Sequence, residues 1–329
     1  YFYHRHGILL NRTTNSVMRR NYCNARNYPG ISGGYNGTSG DNGTGDSCIV
    51  VYPGDDNIIE NNISDGAMLK SFSLQATGAG RGNKFLGNIA LGPTIGLSLD
   101  VRTGSGSNYM PRDTVVENMI VINASDVGIR SRGAKNTRCD QCMVLSSKHG
   151  FSVDFVTSAP GDGEYSFFSN NSLVLGGNSG TGFYVASQIQ TWGLNSSNSF
   201  KNLPNYSPSS NPSWINSRTI DPLLGTCRVW IPDSSPMKRA GINSKDIGAT
   251  ILYRYEDGVM TKVPLWDLST GKFPSGALIA GLNDVPGQSL FDVHKRLNVN
   301  TNGCLFPAGY GSGGGDANSP RSPQSLRAS

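Results

Sequence analysis

The chain has 329 residues, of which 36 % are hydrophobic and 16 % charged, with a formal net charge of +5. The charged fraction is well below the roughly 25 % usual for soluble domains, so surface polarity rests on Asn, Ser, Thr and Gly. The basic excess is diffuse, no Lys or Arg run exceeds two residues and no nucleic-acid-binding motif appears, which argues against a nucleic-acid partner. No apolar stretch approaches the ~18 residues of a membrane-spanning helix.

Seven short segments look like copies of one another: HGILLN, CIVVYP, SFSLQA, GLSLDV, GIRSRG, GFSVDF and GFYVAS. Their apolar anchors Ile8, Ile49, Phe72, Leu97, Ile129, Phe151 and Phe183 recur every 22 to 41 positions. Most copies are followed by a second signature of an apolar pair, one residue, an amide and further apolar alternation, as in IIENNI, FLGNIAL, VVENMIV and FFSNNSLVL. Two strands per repeat at such a period predict a chain that coils and stacks on itself. The expected fold class is all-β, a right-handed single-stranded parallel β-helix (solenoid) with coils about 4.8 Å apart. Alternation sends Ile8, Leu10, Val51, Leu74, Leu99, Val153 and Val185 inward. An amide series, Arg20, Asn61, Asn88, Asn118, Gln141 and Asn170, is expected at one level of every coil. Insertions between coils become loops, the largest being the Gly-rich stretch at 30–46. The chain starts inside a repeat without a cap and shows no signal peptide, so upstream coils or a leader are expected before residue 1.

Of the six cysteines, Cys139 and Cys142 form a C-x-x-C, but they occupy the apolar slots held by Val116 and Met119 one coil earlier. A zinc site would need two more ligands at matching spacing, so both are expected as buried thiols. Cys23 with Cys48 and Cys227 with Cys304 are candidate pairs among fifteen possible connectivities.

The repeat fades after Tyr206. The expected organisation is 1–206 as β-helix repeats, 207–307 as a β-rich C-terminal cap over exposed strand edges, and 308–329 as a disordered Gly/Ser/Pro tail. Within the cap, ILYRYEDGVMTKVPLW carries an Asp257–Gly258 turn between alternating runs, a hairpin signal, and SLFDVHKRLNV is a short helix candidate.

The repeated glycine-apolar strands with N-x-apolar-apolar-x-N turns resemble the pectin-lyase-like parallel β-helix superfamily over roughly residues 5–190. The stretch DIGATILYRYEDGVMTKVPLWD is similar to the C-terminal region of secreted bacterial β-helix-repeat proteins of unsettled function. The resemblance implies a secreted or cell-surface protein that faces a glycan, but it transfers no reaction, because one fold hosts many sites.

Function must come from outward side chains. Alternation gives two neighbouring outward columns: Leu9, Val50, Ser73, Ser98, Arg130, Ser152, Tyr184, and Asn11, Tyr52, Gln75, Asp100, Arg132, Asp154, Ala186. The candidate catalytic residues are Arg130, Arg132, Asp100 and Asp154, with Lys148 and His149 just ahead of the Asp154 strand; Tyr52, Gln75, Arg102 and Tyr184 are candidate substrate contacts. In a polysaccharide lyase, Arg130 or Arg132 would neutralise a uronate carboxylate while Lys148 or His149 removes the adjacent proton. In an inverting hydrolase, Asp100 and Asp154 would flank the bond at roughly 9.6 Å, two coils of about 4.8 Å, but the intervening arginines hold both acids ionised. The lyase on an acidic polysaccharide therefore ranks above the hydrolase. The alternatives are a non-catalytic carbohydrate-binding, adhesin or fibre protein, and an Asp–Arg–Asp ladder that only pairs charges across coils. His149 precedes Gly150 as His6 precedes Gly7, which also fits a turn residue. No metal site is evident; the acidic loops PGDDN at 53–57 and GDGE at 161–164 leave Ca²⁺ as the one cofactor to consider.

Overall fold

The computed structural model describes residues 6–24, 47–66, 69–76, 80–101, 110–154, 166–176, 180–186, 191–202, 204–207, 214–273 and 290–312. The fold is a parallel β-helix. Successive coils contribute strands to three stacked parallel sheets, which among the described residues hold eight, eight and seven strands. The first sheet runs from His6–Leu10 through Ser47–Val51, Lys70–Ala76, Ile95–Val101, Val127–Arg132, His149–Asp154 and Phe183–Val185 to Tyr206–Ser207. The second carries strands such as Lys84–Leu86, Val115–Glu117 and Thr137–Asp140, and the third Ile89–Leu91, Ile120–Ile122 and Met143–Leu145.

All seven predicted anchors lie in one register, Ile8 to Ile49 to Phe72 to Leu97 to Ile129 to Phe151 to Phe183. Tyr206 continues the column as an eighth member, and parallel pairing persists through Trp214–Ile215 and the Asn198–Arg218 bridge. Inside, Ile49, Phe72, Leu74, Leu97, Ile129 and Phe151 have almost no solvent access, each large apolar side chain contributing roughly 1.5–3 kcal/mol by leaving water. Phe151, Phe183 and Tyr206 stack along the axis at centroid spacings of 4.8 and 5.6 Å.

The glycine that opens most repeats has a packing cause. A Cβ on Gly96 would sit 2.5 Å from Val121 Cγ2 and from the Gly128 carbonyl oxygen. Gly128 and Gly150 meet Val144 and Val174 in the same way, so the missing side chain lets the first sheet start flush against the third. The triplets IAL, IVI, MVL and LVL of the third sheet are apolar at every position because both faces are covered. Ala90, Val121, Val144 and Val174 face the interior, while Ile89, Leu91, Ile120, Ile122, Met143 and Leu145 join a second core.

That second core is built by the C-terminal region expected as a cap. Val229, Trp230, Ile231, Ile251, Leu265 and Trp266 pack with the third sheet's outer side chains, so the region covers the flank of the stack. It contains the expected hairpin, Tyr253–Glu256 paired with Val259–Pro264, turning through Asp257 and Gly258 at φ 52° and 84°, and the helix Leu290–Leu297. The Cys227–Cys304 and Cys23–Cys48 disulfides are formed. Cys139 and Cys142 are buried in the predicted slots but are joined to each other, correcting the expectation of free thiols. Residues 308–312 are ordered as turns, whereas the rest of the expected tail and the loop at 30–46 lie outside the described residues.

The corner between the second and third sheets corrects the amide column by one position in two coils. Arg20, Asn61, Gly87, Asn118, Gln141, Asn171 and Ser196 all have φ between 49° and 63° there. Asn88 stands one residue later, inside, where Asn21 Nδ2 donates to Asn62 Oδ1 at 2.9 Å and Asn62 Nδ2 to Asn88 Oδ1 at 3.0 Å. Asn170 stands one residue earlier, in register with Asp140. A segment spanning 240–258 runs back along this corner and is held by it. Ile242 N donates to Asn171 Oδ1 at 2.7 Å, Thr250 N to Asn118 Oδ1 at 3.1 Å and Tyr255 N to Asn61 Oδ1 at 2.6 Å. The hairpin tip then meets the first coils, with Asp257 N and Gly258 N donating to the buried Glu60 carboxylate, which also pairs with Arg19 Nε at 3.1 Å.

Asn118→Gly keeps the left-handed corner but deletes the acceptor for Thr250 N and the amide that donates to Tyr255 Oη at 2.8 Å. We expect a loss of about 1–3 kcal/mol for these buried bonds, read as a lower denaturation midpoint with faster proteolysis within 240–258. Gln141→Gly, at a corner of the same φ and with no hydrogen bond to the return segment, should leave the proteolysis unchanged.

Candidate functional site

The outward columns form as the alternation predicts. Val50, Ser73, Ser98, Arg130, Ser152 and Tyr184 follow Leu9 in one register. Gln75, Asp100, Arg132 and Asp154 follow one another in the next. Asp100, Arg130, Arg132 and Asp154 therefore share one face of the first sheet on three consecutive coils.

Their electrostatics divide them. Asp100 is 14 % exposed and accepts from Lys70 Nζ at 2.9 Å, Arg130 Nη2 at 3.3 Å and Ser98 Oγ at 2.8 Å. Arg130 Nη2 also donates to Ser98 Oγ at 3.1 Å. Burial alone would raise the Asp100 pKa, but the charges of Lys70 and Arg130 with the Lys70 and Ser98 hydrogen bonds outweigh it and hold the carboxyl below its ordinary value. Asp100 is thus a fixed anion, unsuited to donating a proton near neutrality. Lys70 and Arg130 are each committed to it.

The other candidates separate from this cluster. His149 accepts the Thr181 backbone N–H at its Nδ1, 3.0 Å away, so its imidazole staples the turn to the next coil. Lys148 is exposed just before it, and a Cβ on Gly180 would lie 1.7 Å from the Lys148 carbonyl oxygen, which marks a tight backbone passage. Arg132 is exposed, Asp154 half-buried beside it, and Tyr184 is 38 % exposed. Gln75 and Tyr52 are half-buried, and Arg102 lies outside the described residues. Ser73 and Ser98 face outward by register yet are fully buried.

Lys70 was missed because the repeat was read from its anchor onward, and Lys70 precedes Phe72 by two residues; its register partners are Ile95 and Ser47. Of the acidic loops, Asp55 Oδ1 accepts the Arg81 backbone N–H at 2.7 Å, and GDGE at 161–164 lies outside the described residues. Among the described residues no group of three or more His, Cys, Asp or Glu is arranged to hold a metal ion, and no helix is long and apolar enough to cross a membrane.

Asp100→Asn leaves Lys70 and Arg130 facing each other without their anion. A folded-state pKa held below the unfolded one stabilises above about pH 4 and loses that contribution as pH falls through the folded value. The variant should be about 3 kcal/mol less stable than wild type at neutral pH, and the gap should close as pH drops below 4. Denaturant melts at several pH values check this; a gap independent of pH would show that Asp100 is not held ionised by its neighbours.

Compared with known proteins, the chain matches no family model, no curated protein and no solved structure.

Proposed function

We propose that this chain is a secreted β-helix protein of the pectin-lyase-like kind that binds an acidic polysaccharide along its outward face without cleaving it. The observation that carries this reading is that Lys70, Arg130 and Ser98 all converge on the Asp100 carboxylate. A β-elimination needs one cation free for the uronate carboxylate and one unprotonated base. Here Arg130 and Lys70 serve Asp100, and His149 Nδ1 serves a turn. Arg132 and Tyr184 remain exposed on the same face, a cation for a carboxylate and a ring for a sugar face. Pairing of all six cysteines supports an oxidising, extracellular setting.

The lyase is the second reading, favoured by Arg132 standing exposed in register between Asp100 and Asp154. One experiment separates the two. Purified protein is incubated with alginate, pectate and chondroitin, followed by ultraviolet absorbance of unsaturated ends and by retardation in gels carrying each glycan. We expect retardation by at least one of them without new absorbance, and weakening of about tenfold, or roughly 1.4 kcal/mol, in Arg132→Ala/Tyr184→Ala. Absorbance that grows with wild type and vanishes in Arg132→Ala would establish the lyase instead, and no retardation by any acidic glycan would end the glycan-binding reading.

A further inference from the structure

Three pairs in which Asn or Asp precedes Gly stand among the described residues: Asp65–Gly66, Asp257–Gly258 and Asn302–Gly303. Asn36–Gly37 and Asn42–Gly43 lie outside them. Such a pair can react with itself. Glycine carries no Cβ to crowd its nitrogen, so that nitrogen can reach the preceding side-chain carbonyl carbon and close a five-membered imide. Whether the folded chain permits this depends on whether both partners are free.

Two of the pairs are committed elsewhere. The Gly66 N–H donates to the Leu91 carbonyl at 2.8 Å, and the Asp65 carboxylate is held by Arg296 and by Tyr22 Oη at 3.2 Å. The Gly258 N–H donates to Glu60 Oε2 at 2.9 Å, and the Asp257 carboxylate pairs with Arg19. Asn302–Gly303 differs on both counts. It forms a two-residue turn between the bridged residues Thr301 and Cys304, with φ of 37° and 90°, both positive as a mirror-image hairpin turn requires. Both residues are exposed. Among the described residues neither the Asn302 side-chain amide nor the Gly303 N–H has a hydrogen-bond partner. A third group acts on the same peptide bond. Thr226 Oγ1 donates to the Asn302 main-chain carbonyl at 2.8 Å, and the Thr226 carbonyl in turn accepts from Asn298 Nδ2 at 3.0 Å. A hydrogen bond to that carbonyl polarises the peptide unit and makes the Gly303 N–H proton easier to lose.

We infer that Asn302 is a site of spontaneous backbone modification, converted in the folded protein to a mixture of aspartate and isoaspartate, with Thr226 as its positioning residue. The Gly303 nitrogen loses its proton and bonds to Asn302 Cγ. The Cγ–Nδ2 bond breaks, and Nδ2 leaves as ammonia with that proton. Water then opens the imide. Cleavage between Cγ and the nitrogen gives aspartate, and cleavage between the main-chain carbonyl carbon and the nitrogen gives isoaspartate, with the chain rerouted through Cγ. One water is consumed in the opening and one ammonia is released, with no oxidant, reductant or cofactor. The product carries a new negative charge, and the isoaspartyl form adds a methylene to the turn. The Thr301–Cys304 bridge then opens, while the Cys227–Cys304 disulfide keeps the segment attached. None of this depends on what the outward face binds.

The test holds the full chain at mildly alkaline pH in heavy-oxygen water, folded with its disulfides intact and, in parallel, reduced in denaturant. Peptide mapping by mass spectrometry reads each pair, and methylation by an isoaspartyl carboxyl methyltransferase reads the rerouted product. Each rate is divided by that of the same pair in the unfolded chain, which removes the intrinsic difference between Asn and Asp. The ratio at Asn302 should exceed those at Asp65 and Asp257 by about tenfold or more, because the committed pairs react only after local opening. Thr226→Val should slow conversion at Asn302 about threefold, the effect of one exposed hydrogen bond, and Thr226→Ser should restore it. A merely loosened turn would not slow the reaction, so the sign separates positioning from a structural role. Three equal ratios, or no conversion at Asn302 in the folded chain while the unfolded chain converts, would overturn the site. Wild-type conversion in Thr226→Val would overturn the role of Thr226.

Discussion

Every coil closes through a residue held in the left-handed region at the corner between the second and third sheets. At φ near 50° the chain turns sharply enough to pass from one sheet to the next without leaving the 4.8 Å layer. That conformation costs an ordinary residue roughly 1–2 kcal/mol, and Asn and Gly bear it best. Asn61, Asn118, Asn171 and Gly87 fill most of these positions. The turn fixes the phase of each coil, and the phase decides which side chains point inward. A slip of one residue at this corner would send Phe85, Val116 and Cys139 outward and dissolve the core.

The same corner does a second job that a plain solenoid lacks. Stacked repeats are coupled only to their nearest neighbours, so an array of them can fray from either end. Here the 240–258 segment visits Asn171, Asn118 and Asn61 in turn and ends on Arg19 and Glu60. Early and late coils are thereby tied through one strand of backbone, and the apolar outer side of the third sheet is covered along the way. Opening the stack at one end must break contacts to this segment, which converts a one-dimensional array into a more cooperative unit. Tyr255 shows how tightly it is set, with its hydroxyl between Asn118 and Glu117 and a pKa raised chiefly by burial.

How much of this the amino-acid sequence disclosed follows from the range of each interaction. Period-2 alternation beside a repeated anchor specifies which face a residue takes and which residue stands above it. That is why the columns through Arg130 and through Asp100, Arg132 and Asp154 were legible. Tyr206 escaped because Asn205 stands where other coils carry Gly, Cys or Ser. The corner slipped at Asn88 and Asn170 because amides there sit beside residues that can also take the turn, as in Gly87–Asn88 and Asn170–Asn171. Composition does not say which of two neighbours turns and which lines the interior. The return segment was illegible as such, since it docks by isolated hydrogen bonds between residues more than seventy positions apart, with no periodicity to mark them.

The candidate face illustrates a limit of reading chemistry from clustering. Arg130 and Asp100 stand together as the alternation requires, but proximity of opposite charges satisfies them as readily as it activates them. What distinguishes the outcomes is the third partner. Lys70, arriving from the coil before, completes the shell of Asp100 and makes the carboxylate a structural counterion for two cations. With that anion fixed between two cations, the reactive potential of the cluster falls.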